Sequence, residues 1–595
     1  MSLRGALEAA VQAALEAGEM LRRDFHRPGG PRGHGDKADA DTEAEHAIRA
    51  RLAAVFPGWG YLGEETGRAD GEAGAPRWLV DPNDGTRDYL KGRRGSAVSI
   101  GLLREGRPAL GVVFAFGYPD DRGDLFAWAE GEGPLTRNGR PVELLLPPSL
   151  GPLDVVLVSA NGDRDPETNF RCIAPARYRA VPSIAHRLAL VAAGEAAAAV
   201  SLFSPGAWDY AAGQALLRAV GGRLVDQDGR EVGYAADGSS KCVRAFGAAP
   251  AVAERLAQER WDFRSDTAGE SAVFTRLRRG QAVADAPLLA RAQGCLLGQV
   301  AGDSLGGLVE FRSGLEVNRL YPDGPRLLED GGHWNILAGQ ATDDSEMALA
   351  LSRAILSAGR FDASGALAGY RTWRESGPFD MGTTVSAALS GRPNPESQAN
   401  GSLMRASPLG LLASSVEAAA ALARADSSLT HPHPVCGDAT AAFVVALRHA
   451  VRQGDGARAA FDAARDWAHA AGAEPAVRAS LDAAEERPPV CDGESPGWVL
   501  IALQNAFYEL LHATSVEDTV VASVRRGGDT DTNAAIAGAL VGSVYGAPSV
   551  PAQWRYMILS CRPHVMRAAH PRPMAFWPVD VLELAEGLVL AADHT

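Results

Sequence analysis

The chain has 595 residues, 46% of them hydrophobic and 22% charged, and 73 acidic against 58 basic residues give a formal net charge of −15. This is globular composition with room for about four domain-equivalents of ~150 residues. It is too acidic for non-specific nucleic-acid binding, which depends on Lys and Arg neutralising phosphates. Six scattered cysteines without a CxxC pair argue against a disulfide scaffold or a thiolate zinc site. The longest apolar stretch, 188–203, is interrupted by Gly194, Glu195 and Ser201, short of the ~20 apolar residues that a membrane span requires. The acidic, Ala-rich run from Met1 to Glu19 does not read as a signal peptide. The expectation is a cytoplasmic protein with no membrane partner and no nucleic-acid partner.

In chain order, Leu3, Leu7, Val11 and Leu15 repeat at helical spacing, and Ile48, Leu52 and Val55 do the same. Short apolar runs at 78–80, 98–103, 110–116, 155–158 and 242–246 read as strands, and a helical pattern ends near Arg260. Mixed strands and helices predict a layered α/β domain over residues 1–262. Residues 263–287 are polar and aperiodic and read as a linker. From 288 to 595 strand signals nearly vanish. Helical patterns at 288–301, 344–357, 416–425, 440–451, 498–511 and 534–545 predict an all-α domain.

The first half carries acidic clusters at Asp41/Glu45, Glu64/Glu65, Asp81/Asp84 and Asp209. In Asp81-Pro82-Asn83-Asp84-Gly85-Thr86 a strand runs straight into an acid. Pro82 is expected to end its ladder, and Gly85 allows a tight turn. Two carboxylates held so close repel each other unless a cation lies between them, and hard cations such as Mg²⁺ take oxygen ligands of this kind. The bland alternative is a β-turn whose Asp side chains cap the next helix.

Gly63-Glu64-Glu65-Thr66, Asp81 to Thr86 and Trp208-Asp209-Tyr210-Ala211-Ala212-Gly213 resemble, in order and spacing, the three signatures of the inositol monophosphatase family of Mg²⁺-dependent phosphomonoesterases. The resemblance implies that Glu64, Asp81 and the Asn83 carbonyl hold one Mg²⁺, and that Asp81, Asp84 and Asp209 hold a second. It implies that Glu64 and Thr86 activate the attacking water and that Gly85 and Thr86 amides face the phosphate. Ala38 stands where the family usually has Thr, and Asn83 where it has an aliphatic residue. Val181 to Arg187 lacks the Arg-Ser-x-Gly-Ser pattern of inositol-specific members, which leaves inositol and nucleotide phosphates both open.

The second half has Gly302-Asp303-Ser304-Leu305-Gly306 followed by Glu310, then Thr342-Asp343-Asp344-Ser345, and later Gly527-Gly528-Asp529-Thr530-Asp531-Thr532-Asn533. Each acid-Thr run alone is a plausible helix cap. Together they make an oxygen-rich dinuclear site, with Asp529 and Asp531 reaching inward if that segment is extended. With Asn400-Gly401-Ser402-Leu403-Met404-Arg405 and Leu429-Thr430-His431-Pro432-His433, the set resembles the ADP-ribosylglycohydrolase family. The resemblance implies two Mg²⁺ or Mn²⁺ ions on Thr342, Asp343, Asp344, Asp529, Asp531 and Thr532. It implies catalysis by Asp343 or Glu310, and an ADP-ribose cleft lined by Asn400, Ser402 and His431. His433 reads equally as a loop residue.

The expected function is therefore bifunctional: phosphomonoester hydrolysis by the first half and cleavage of an ADP-ribosyl C1″ bond, free or protein-linked, by the second. Two arrangements stay open: a shared metabolite such as ADP-ribose 1″-phosphate that could engage either site, or separate work by the halves, the second on ADP-ribosylated protein and the first on a nucleotide phosphate. The alternative is a phosphatase fused to a non-catalytic ADP-ribose-binding module. There is no Gly-x-Ser-x-Gly elbow, His-Glu-x-x-His or Walker A sequence.

Overall fold

A computed structural model describes residues 2–262 and 279–592. The chain separates into two compact units whose boundary, among the described residues, falls between Ala284 and Asp285.

In the first unit the continuous apolar runs of 97–104 and 107–115, buried on both faces, build the centre of an eight-stranded sheet. Its order is Arg140–Pro141, Thr136–Arg137, Asp124–Ala129, Arg107–Ala115, Ala97–Arg104, Arg77–Asp84, Gly60–Gly63 and Gly67–Ala69. Helices Arg4–Phe25 and Asp39–Val55 bury Ala10, Ala14, Leu21, Ile48 and Leu52 against one face. Helices Ile184–Ala192 and Ala207–Ala219 lie between that sheet and a second one of five strands. The second sheet is covered by helices Pro166–Ile173 and Pro250–Gln258 around Phe170, Phe246 and Trp261. Sheets and helices thus alternate in layers.

Pro82 does not end its strand. The ladder with Ala97–Arg104 pairs Asp81 with Ser99 and Asp84 with Ala97, so between these pairs Pro82 and Asn83 together oppose the single residue Val98. That extra residue is a β-bulge. Without it, residues three apart would point to opposite faces; with it, Asp81 and Asp84 share one.

The second unit is helical. Its central pair, Ala286–Gly306 and Thr530–Tyr545, touches backbone to backbone. A Cβ on Gly294, Gly298 or Gly302 would collide with the carbonyls of Gly542, Gly538 or Ala534 respectively, so the four-residue glycine spacing is a packing requirement. The helix expected from Leu288 begins at Ala286, because the Asp285 carboxylate accepts from the Leu288 amide and caps it. Part of the predicted linker packs on the first unit: Arg94 donates to the Val283 carbonyl at 2.8 Å, and Arg279 to that of Gly33 at 3.0 Å. Residues 263–278 of that linker lie outside the described residues. No described helix is long and apolar enough to cross a membrane. All six cysteines are buried.

Two candidate active sites

Each unit has a cavity walled by converging carboxylates. In the first, a cavity of about 310 Å³ is lined by Glu64, Asp81, Asn83, Asp84, Gly85, Thr86 and Asp209. The bulged strand supplies Asp81 and Asp84, and the start of helix Ala207–Ala219 supplies Asp209. Gly85 sits at φ +102, a conformation that suits glycine, and turns the chain from strand to helix.

Several of these groups are already partly used. Asp84 Oδ2 accepts from Ser183 Oγ at 2.5 Å and the Ala185 amide at 2.7 Å, which caps helix Ile184–Ala192 and leaves its second oxygen over. Asp209 Oδ2 accepts from the Gly206 amide at 2.8 Å. Thr86 Oγ1 lies 2.9 Å from both Asp41 Oδ2 and the Asn83 carbonyl, and Asn83 Nδ2 donates to Asp41 Oδ1. Glu45 is a structural acceptor, taking the Glu65 and Thr66 amides at 2.7 and 2.9 Å.

Burial first, and then the neighbouring carboxylates Glu64, Asp209 and Asp84, hold Asp81 well above the usual carboxylate range. Burial also pushes Glu64 and Asp41 up to about 7 each. Arg187 ends the 181–187 segment but was not singled out there as a site residue. It is 1% exposed, lines the same cavity and has an Nε without a hydrogen-bond partner. Its Nη1 donates to the carbonyls of Val181 and Pro182.

In the second unit a cavity of about 240 Å³ is lined by Glu310, Asp343, Asn400, His431, Asp529, Asp531 and Thr532, and also by Asp380. Oxygens of Glu310, Asp529 and Asp531 lie within 4.8 Å of one another. Asp529 and Asp531 converge without an extended segment. Asp529 precedes helix Thr530–Tyr545 and Asp531 lies in its first turn, while Thr530 Oγ1 turns away to the Gly306 carbonyl at 2.8 Å. Asp303 acts behind the cavity, accepting the Thr342 and Ser345 amides and so capping helix Asp343–Ala358.

Thr342 and Asp344 are fully buried outside the set of lining residues, and Asp344 Oδ1 has no hydrogen-bond partner. Ser402 is not in the wall: its hydroxyl sits in a buried chain, 3.0 Å from Ser427 Oγ and 3.3 Å from Thr440 Oγ1. Asn400 Nδ2 donates to Asp529 Oδ2 at 2.7 Å. His431 is buried, which pushes its imidazole down to about 3, so it is neutral, with Nε2 unpartnered. His433 caps helix Pro434–Gln453 by accepting the Val435 amide.

Glu310 accepts from Trp334 Nε1 at 2.5 Å, and burial pushes it up to about 8. Asp380, raised to about 7 by the same cause, faces Asp343, whose Oδ2 accepts the Gly382 amide. Sequence reading missed Asp380 because one acid in a Pro- and Gly-flanked loop carries no periodic or motif signal.

Both donor sets fit hard divalent cations. They are all-oxygen, mutually repelling and sparsely matched by bases, and Asp344 keeps an orphaned buried oxygen.

The ADP-ribosylglycohydrolase family model matches residues 284–582, half of the chain, and the inositol monophosphatase family model matches residues 3–264. The chain belongs to the ADP-ribosylglycohydrolase family. Its first unit is an inositol monophosphatase family domain, so the chain is a fusion of two hydrolase families and an enzyme of both classes. The second unit is similar to the ADP-ribosyl-[dinitrogen reductase] glycohydrolase of Rhodospirillum rubrum, 29% identical over 44% of this chain and 88% of that one. It is similar also to the ADP-ribosylarginine hydrolase Tri1 of Pseudomonas putida, 27% identical over 50% of this chain and 84% of that protein. The first unit is similar to the inositol-1-monophosphatase of Mesorhizobium japonicum, 34% identical over 38% of this chain and 88% of that one.

Proposed function

We propose that the chain carries two separate metal-dependent hydrolase sites. The first unit cleaves phosphomonoesters and the second cleaves the C1″ bond of an ADP-ribosyl group, with arginine as the acceptor side chain. The carrying observation is that each unit independently gathers four or more carboxylates, distant in sequence, around its own cavity. The names of the relatives supply the substrate classes.

Mg²⁺ would be held by Glu64, Asp81, the Asn83 carbonyl, Asp84 and Asp209, and Mg²⁺ or Mn²⁺ by Thr342, Asp343, Asp344, Asp529, Asp531 and Thr532, where the ions supply charge neutralisation and Lewis-acid polarisation. In the first site the Thr86 hydroxyl has one proton and two acceptors, Asp41 and the Asn83 carbonyl. Its lone pair is therefore left to orient a water for attack on phosphorus. Glu64 takes the water's proton as the new P–O bond forms and the ester oxygen departs. Arg187 keeps one fixed positive charge beneath the acid cluster.

In the second site Glu310, steered by Trp334, delivers a proton to the leaving atom as the C1″ bond stretches toward an oxocarbenium-like state. Asp343, with Asp380 beside it, directs water to C1″ and accepts its proton. His431 and Asn400 contribute neutral polar walls for the nucleotide portion.

ADP-ribose 1″-phosphate carries one bond of each class, a phosphomonoester and a C1″–O bond, and hydrolysis in ¹⁸O-water tells the two routes apart. Label in the phosphate marks P–O cleavage by the first unit. Unlabelled phosphate marks C1″–O cleavage by the second. Asp81→Asn should abolish the labelled fraction and Asp531→Asn the unlabelled one. No phosphate release by the wild type removes this metabolite from the proposal. ADP-ribose binding without any ADP-ribosyl turnover would make the second unit a binding module instead.

A further inference from the structure

Phe311 is a large apolar residue that is 61% exposed and lines the second cavity next to Glu310. Its backbone sits at φ +63, a left-handed conformation that bulky side chains rarely adopt. The fold imposes it through paired backbone bonds: the Phe311 amide donates to the Gly528 carbonyl at 2.9 Å, and the Gly528 amide to the Arg312 carbonyl at 2.8 Å. An exposed aromatic ring held in a strained conformation beside reacting groups is a feature that folding alone does not favour.

Phe311 is also the first rung of a run of rings. Its centroid is 5.1 Å from His333, His333 is 4.9 Å from Trp334, Trp334 is 5.8 Å from Phe379, and Phe379 is 4.8 Å from His570. The run follows the carboxylates. Trp334 is hydrogen-bonded to Glu310, and Phe379 directly precedes Asp380. The neutral residues at the other part of the wall, Asn400, Gly401, Met404 and His431, carry no such rings apart from His431 itself.

We propose that Phe311, backed by His333 and Trp334, is the specificity-determining wall for the leaving group, receiving a cationic side chain with an aliphatic stem. This rests on the hydrolase reading above and adds the residues that select the acceptor. The chemistry is complementary on two counts. Ring faces attract a guanidinium and pack its methylene stem. The nucleotide portion is assigned above to the neutral wall at Asn400 and His431, which leaves the Phe311 side for the acceptor.

The test uses the full-length protein with saturating Mn²⁺, ADP-ribosylarginine as substrate and ADP-ribose as competitive inhibitor. Phe311→Ala and Phe311→Gly should each raise KM for ADP-ribosylarginine about tenfold and leave the inhibition constant of ADP-ribose within about twofold, the size expected for losing one cation–π contact. Phe311→Gly accepts the left-handed backbone without strain, so its unfolding temperature should equal or exceed that of the wild type, which separates recognition from misfolding. An unchanged KM in both variants, or parallel losses of ADP-ribosylarginine and ADP-ribose affinity, overturns the assignment. Absence of ADP-ribosylarginine turnover in the wild type overturns the hydrolase reading and this inference with it.

Discussion

In the proposed phosphatase chemistry Thr86 is the pivotal residue, because its hydroxyl joins Asp41 to the Asn83 carbonyl at the cavity edge. Thr86→Val keeps the shape and removes the hydroxyl. Its kcat on a phosphomonoester should fall on the order of 10²-fold with little change in KM, read by initial rates at saturating Mg²⁺. A second prediction concerns pH. Enclosure raises Asp41 and Glu64 to about 7, Asp380 to about 7 and Glu310 to about 8 in the metal-free protein. The folded state therefore holds protons that the unfolded chain has released, so the stability these groups contribute is complete below the ordinary carboxylate range and is lost as pH rises through about 7 to 8. Chelator-treated protein should melt at lower temperature at pH 8.5 than at pH 6, and added Mg²⁺ should flatten that slope. A flat profile without metal would contradict the cluster's electrostatics. Glu64, Asp81, Asp209, Asp343 and Asp531 were legible in the sequence because acids beside Gly or Thr at element ends form ordered motifs. Asp380 and Arg187 were not, since each depends on a tertiary neighbour that no local pattern encodes.

At the scale of elements, two devices aim the carboxylates. The bulge in strand Arg77–Asp84 brings Asp81 and Asp84 to one face. The sequence showed the acids and the proline there, but it showed Pro82 as a stop, because a bulge is defined by the partner strand and not by the strand that carries it. The glycines at 294, 298, 302 and 306 let helix Ala286–Gly306 lie against helix Thr530–Tyr545, where Gly306 meets the backbone of Asp531. The four-residue spacing is visible in the sequence, but its purpose appears only when the facing backbone is known. Gly298→Ala sets a methyl against the Gly538 carbonyl, which has no rotamer with which to yield. Chemical denaturation should show the second unit destabilised by about 3 kcal/mol, with ADP-ribosyl turnover lost at lower denaturant than phosphatase activity. An unshifted midpoint would mean that the helix pair is looser than described.

For the whole molecule, the main division was readable from texture alone, since alternating strand and helix signals give way to helical ones. Ordered motifs then identified two hydrolase families, and the family matches over 3–264 and 284–582 bear them out. What sequence could not give was the detailed border. Val283 is bonded to Arg94 of the first unit although its segment is aperiodic, and Asp285 starts a helix through a single capping carboxylate.

The central claim is that one chain holds two sites that work by separate carboxylate sets. The most direct measurement is a crossed comparison of wild type, Asp81→Asn and Asp531→Asn, each assayed for phosphomonoester hydrolysis and for ADP-ribosylarginine cleavage with Mg²⁺ or Mn²⁺ present. The account predicts that Asp81→Asn loses at least about 10²-fold in the first activity alone, and that Asp531→Asn loses as much in the second alone, given the size of electrostatic contributions at such sites. Loss of both activities in either variant, or survival of ADP-ribosyl cleavage in Asp531→Asn, would contradict it.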